Sequence, residues 1–160
     1  MPDEETFDRL IKQVKEDLKE VKFLIIQKQL RLQHYISKAK VYPDNLVQIG
    51  QVIYVFEGKS KKEESALKQL KEYQMSLKVY HQQNLKEGFF PYNLEQIRLF
   101  YYSLKEHEII EFKGKNFNRN PKKWKDLNEL KVILQNIFKG SLLWVLYGIR
   151  ITNKKHRTGR

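Results

Sequence analysis

Leu46-Val47-Gln48-Ile49-Gly50-Gln51-Val52-Ile53-Tyr54-Val55-Phe56 is the stretch on which the fold turns. Its β-branched side chains suit a strand. Asp44 or Asn45 as an N-cap, with Gly58 as a stop, suits a short buried helix instead. Helical patterns flank it on both sides and no strand partner is evident, so the stretch reads as a helix.

Upstream, Ile11, Leu18, Ile25, Leu32 and Ala39 alternate by four and three residues with Phe7, Val14, Val21, Lys28 and Tyr35. That is a heptad seam interrupted only at Lys28. Leu10 and Leu24 widen it. The pattern predicts one long helix from about Glu5 to Lys40, ended before Pro43. It packs either on its own domain or on a partner protein as a coiled coil.

Downstream, Ser60 and Glu63 have the Ser-x-x-Glu spacing of a capping box. They open a predicted helix to about Leu85 with Leu67, Leu70, Tyr73, Leu77 and Tyr80 inside. Gly88 and Pro91 interrupt the pattern. Asn93 and Gln96 then cap a helix with the stripe Leu94, Ile97, Tyr101 and Leu104. A loop follows from Phe112 to Asn120. Asn120-Pro121 has the composition of an N-cap and first helical position. The helix it starts faces Trp124, Leu127, Leu130, Leu134 and Ile137 inward. Lys139-Gly140-Ser141 reads as a tight turn before a last helix from about Leu142 to Thr152, with Leu143 and Trp144 in the core.

The chain of 160 residues has the length of one domain with at most an extension. It has no cysteine, which excludes disulfides, thiolate metal sites and cysteine nucleophiles. Its acidic start is unlike a leader peptide. Its longest apolar run, from Ser141 to Ile151, is too short to span a bilayer. The expectation is no membrane association.

Enzyme motifs fail on inspection. Gly58-Lys59-Ser60 resembles the end of a phosphate loop, but Ile53 stands where the first glycine is required. It reads instead as a helix stop followed by a new cap. His34, His81, His107 and His156 are too far apart for a metal-ligand pair. The expectation is a non-enzyme, with no catalytic residue, no metal and no cofactor.

Charge is the stronger signal. The formal net charge is +12, and it divides as +2 over residues 1–40, +1 over 41–100 and +9 over 101–160. Such an excess favours a polyanionic partner. The candidate nucleic-acid-binding residues are Lys113, Lys115, Arg119, Lys122, Lys123, Lys125, Arg150, Lys154, Lys155, Arg157 and Arg160, acting on phosphates.

The helix expected at Trp124–Ile137, the turn at Gly140, the helix carrying Trp144 and the basic tail Lys154-Lys155-His156-Arg157 have helix-turn-helix spacing. With the Asn93-capped helix they resemble the homeobox-like fold over about Phe90 to Arg157. Tyr147 stands where homeodomains carry their adenine-reading Asn, so binding directed at phosphates rather than bases is expected. The Lys- and Asn-rich composition is also similar to that of the accessory DNA-binding subunit of the protist adenine-N6 DNA methyltransferase complex. That resemblance implies a nuclear, non-catalytic subunit that brings double-stranded DNA to a separate catalytic complex.

The combined expectation is an all-α protein. A long amphipathic helix fills residues 1–42 and a helical domain residues 43–160, with the helix-turn-helix at about 90–157. The competing class is a structural or interaction subunit of a large assembly, such as a mitochondrial complex or a ribosome.

Overall fold

The stretch from Leu46 to Phe56 is a pair of strands, not a helix, and this overturns the all-α expectation. The structure, a computed structural model, describes residues 2–18, 23–28, 32–33, 40–41, 43–49, 52–58, 62–83 and 97–140. Helix α1 (Pro2–Asp17) leads into strands β1 (Phe23–Lys28), β2 (Leu32–Gln33), β3 (Lys40–Val41), β4 (Asn45–Ile49) and β5 (Val52–Gly58). Helix α2 (Glu63–Gln83) crosses over to β6 (Ile97–Ser103), β7 (Glu108–Lys113) and β8 (Asn118–Lys123). Helix α3 follows over residues 127–140.

The main sheet has the order β1-β4-β5-β6-β7-β8, and β2 and β3 form a separate two-stranded ribbon. Pairing is antiparallel for β1/β4 and β4/β5, parallel for β5/β6, and antiparallel again for β6/β7 and β7/β8. Two antiparallel meanders are therefore joined by one parallel step. A parallel step needs a crossover, and α2 supplies it.

Helices cover both faces. Helix α2 packs Ala66, Leu70, Tyr73 and Leu77 on a face that carries Leu46, Ile53, Val55, Leu99 and Ile110. Helices α1 and α3 bring Phe7, Ile11, Val14, Leu130, Leu134 and Phe138 to the opposite face, against Val47, Tyr54, Phe56 and Phe100. Aromatic rings fill that second layer, with Phe7 stacked on Tyr102 at 3.8 Å and Phe138 edge-on to Tyr54 at 5.1 Å. The ion pair of Lys131 with Asp17, 2.7 Å, ties α3 to the end of α1.

This double coverage explains why the sequence reads as helical. A strand buried on both faces is apolar throughout instead of alternating. All five residues of β4 are buried, and so are the first six of β5. Such a run fits a buried helix as well as a strand. Ile49 pairs with Val52, leaving Gly50-Gln51 between them, a composition suited to a two-residue hairpin turn.

The heptad seam is helical only through α1, and Ile25 of the seam lies in β1, within the apolar run Phe23-Leu24-Ile25-Ile26. The helix expected from Asn93 is strand β6 where it is described, and the loop expected from Phe112 to Asn120 is the β7–β8 hairpin. Pro121, expected to start a helix, sits in β8, an edge strand, where a missing N–H is tolerated. The helix starts later instead. Asp126 accepts from the Glu129 N–H at 2.9 Å, while the Glu129 carboxylate accepts from the Lys125 N–H. That shift leaves Leu127, expected inside, 46% exposed.

Among the described residues, 97–123 form three strands, which overturns the homeobox-like three-helix unit expected over about 90–157. The expected last helix, with Leu143, Trp144 and Tyr147, lies outside the described residues. Three helical expectations coincide in part with helices: the first with α1, the second with α2 from Glu63 onward, and the one carrying Leu130, Leu134 and Ile137 with α3.

Candidate active site at the ends of β4 and β5

The β4–β5 hairpin brings together two acids that lie far apart in sequence. Residues 45–56 carry no charge, with Asp44 immediately before them and Glu57 immediately after. Asn45 pairs with Phe56, so Asp44 and Glu57 flank the open end of the same hairpin. Strand alternation puts Glu57 with Val55 on the α2 face, away from Phe56.

Local hydrogen bonds fix both groups. The Gly58 N–H donates to Asp44 Oδ2 at 3.0 Å. The Gln69 side-chain amide donates to the Tyr73 hydroxyl at 2.6 Å. Tyr73 in turn hydrogen-bonds Glu57, and the charges of Glu57 and Asp44 both act on it. Burial, reinforced by those two carboxylates, pushes the Tyr73 hydroxyl far above its ordinary value, so it stays a proton donor. Glu57 is only 7% exposed, and Asp44 is half-buried.

Gly58 is constrained as well. A Cβ there would stand 2.7 Å from the Tyr102 hydroxyl, so the backbone beside Glu57 passes where only glycine fits without displacement. Lys59 comes next; its placement, with Ser60 and Lys61, lies outside the described residues.

The donor set is all oxygen: two carboxylates, with backbone carbonyls at the strand ends. Hard divalent cations such as Mg²⁺ prefer such donors, and one or two carboxylates suffice when waters and substrate phosphates complete the shell. Among the described residues no group of three or more acidic or histidine side chains is gathered for a metal. The pair thus suits a cation shared with a substrate rather than a closed structural site.

Those of the basic residues expected to bind nucleic acid that lie among the described residues fall elsewhere. Lys122 and Lys123 are exposed on edge strand β8, Lys125 follows it, and Lys113 and Lys115 flank the start of the β7–β8 turn. Strand β8 lies three strands from β5, about 14 Å at ordinary strand spacing. Arg119 is held by Glu63 at 2.9 Å and Glu108 at 2.9 Å, and the hydrogen bond it donates to Glu63 leads in raising its pKa. Arg150, Lys154, Lys155, Arg157 and Arg160 lie outside the described residues.

Reading the sequence for motifs missed Asp44, Glu57, Gln69 and Tyr73 as a group. The available signal was the pair of acids bracketing an uncharged apolar stretch with Gly-Gln at its middle. A hairpin there must bring its two ends together. No family model matches this chain, and neither characterised proteins nor solved structures give a significant match.

Proposed function

We propose that the protein is a divalent-metal-dependent phosphodiesterase acting on nucleic acid. The observation that carries this reading is the meeting of Asp44 and Glu57 at the open end of the β4–β5 hairpin, each held by its own hydrogen bond. When bound, a cation such as Mg²⁺ supplies Lewis-acid stabilisation of phosphoryl charge and lowers the pKa of water.

The chain's own residues do the positioning. Asp44 and Glu57 hold the cation. Gly58 N–H orients the first carboxylate and Tyr73, itself oriented by Gln69, orients the second; such outer partners keep ligands in place. The net charge of +12 favours a polyanionic substrate, and nucleic acid remains the partner on this reading.

A labelled oligonucleotide incubated with the full chain and Mg²⁺ or Mn²⁺ tests the proposal. Cleavage is expected only with the metal present. It is expected to vanish in Asp44→Asn and Glu57→Gln. Absence of metal-dependent cleavage of DNA and RNA, single- or double-stranded, would overturn it.

A further inference from the structure

Between α2 and the β7–β8 turn opens a cavity of about 780 Å³, lined by Lys71, Met75, Phe112, Lys113, Lys115 and Phe117 among others. Its volume lies within the usual range for ligand sites. Arg98 and Glu111, which also line it, are joined by two hydrogen bonds of 2.7 and 2.8 Å, which occupy both oxygens of Glu111. Lys113 meets Glu111 only at 3.8 Å and is 55% exposed. Lys71 and Lys115 are exposed too.

Phe117 is the unusual residue. Its φ is 51°, in the left-handed region, which a large side chain adopts only at a cost. The turn holds it there through the hydrogen bond from its N–H to the Gly114 carbonyl, 3.1 Å. Its ring packs against the α2-side core yet is only half-buried, and the Lys71 ammonium stands 4.4 Å from the ring centroid. A strained backbone thus presents an aromatic surface amid three lysines.

We propose that this cavity binds single-stranded nucleic acid, with an unpaired base on the Phe117 ring and backbone phosphates at Lys71, Lys113 and Lys115. Stacking platforms interleaved with basic side chains recognise single strands because every base has an aromatic face. A base inside a duplex is already stacked on both sides, so only an unpaired base can take the ring face that the Lys71 ammonium covers. The strand register places the β7–β8 turn at the end of the sheet opposite Asp44 and Glu57, so the cavity is a binding surface apart from the carboxylate site. The inference rests on the preceding reading for its nucleic-acid partner and names the form of that substrate.

Fluorescence anisotropy of labelled oligo-dT with the full chain in EDTA measures binding apart from cleavage. The single strand should bind more tightly than the corresponding duplex. Phe117→Leu should weaken single-strand binding about tenfold, and Phe117→Tyr should restore it. Replacing Lys71, Lys113 and Lys115 with Gln together should flatten the log–log salt dependence by about two units. A preference for duplex, or unchanged binding in both Phe117→Leu and the lysine variant, would overturn the inference. If Phe117-dependent binding occurs without metal-dependent cleavage, the phosphodiesterase reading fails and this inference stands. If cleavage occurs and Phe117→Leu binds and cleaves single strands like wild type, the reverse holds.

Discussion

The amide of Gly58 donates to Oδ2 of Asp44 at 3.0 Å, tying the end of β5 to the residue that precedes β4. One hydrogen bond thereby sets an acid on one strand beside Glu57 on the next. Substitutions around this closure should separate stability from activity.

Glu57→Gln removes a buried negative charge that lies near a second one, while keeping the shape that accepts from Tyr73. Burial penalises the charged form and a neighbouring carboxylate adds to the penalty. The variant should be more stable by about 1 kcal/mol, a rise of roughly 2–4 °C in Tm for a chain of this size. It should cleave nothing. Thermal melts beside the cleavage assay check this; a lower Tm would show that Glu57 serves the fold.

Tyr73→Phe deletes the hydroxyl that links Gln69 to Glu57 and keeps the ring in the α2-side core. Loss of an outer partner of a metal ligand typically costs 10–100-fold. Cleavage should fall by about that factor, with the phenyl ring still packed and the fold intact by circular dichroism. Wild-type activity would remove Tyr73 from the site.

Gly58→Ala forces a methyl group to within 2.7 Å of the Tyr102 hydroxyl and 3.0 Å of its Cζ. Stacking of Tyr102 on Phe7 limits how far the ring can retreat. Overpacking of this kind costs about 1–3 kcal/mol. Adding Tyr102→Phe removes the nearer atom and should recover part of the loss. Urea melts of the two single variants and the double variant measure that coupling; a fully additive result would contradict the contact.

Asp17 gives the pH dependence. Its hydrogen bond with Lys131 leads in holding its carboxyl below the ordinary value of 3.8. A depressed folded-state pKa stabilises the fold above the unfolded pKa, and that stability is lost as pH falls through the folded value. The Tm difference between wild type and Asp17→Asn should therefore be level above about pH 5 and shrink on acidification. A difference that stays constant across the acid limb would show that the pair contributes nothing.

How much of this was legible in the sequence depends on the layer. Helix α2 was, because its Leu70, Tyr73, Leu77 stripe belongs to a half-exposed helix. The sheet was not. Strands β4 and β5 lie under helices on both sides, so their residues alternate in direction without alternating in polarity. Strand β6 misled for a second reason: Ile97, Tyr101 and Leu104 also fit a helical stripe. Its run Leu99-Phe100-Tyr101-Tyr102 is the aromatic composition of a strand. The acids of the candidate site were visible, but their meeting depends on the pairing of β4 with β5. Once the segment is a helix, Asp44 and Glu57 lie at its opposite ends.

The central claim, that the open end of the β4–β5 hairpin holds a divalent cation, is tested most directly by Mn²⁺ binding followed by electron paramagnetic resonance on the full chain. One bound Mn²⁺ per chain, displaced by Mg²⁺ and lost in both Asp44→Asn and Glu57→Gln, is the predicted result. No bound Mn²⁺, or binding that survives both substitutions unchanged, would contradict it.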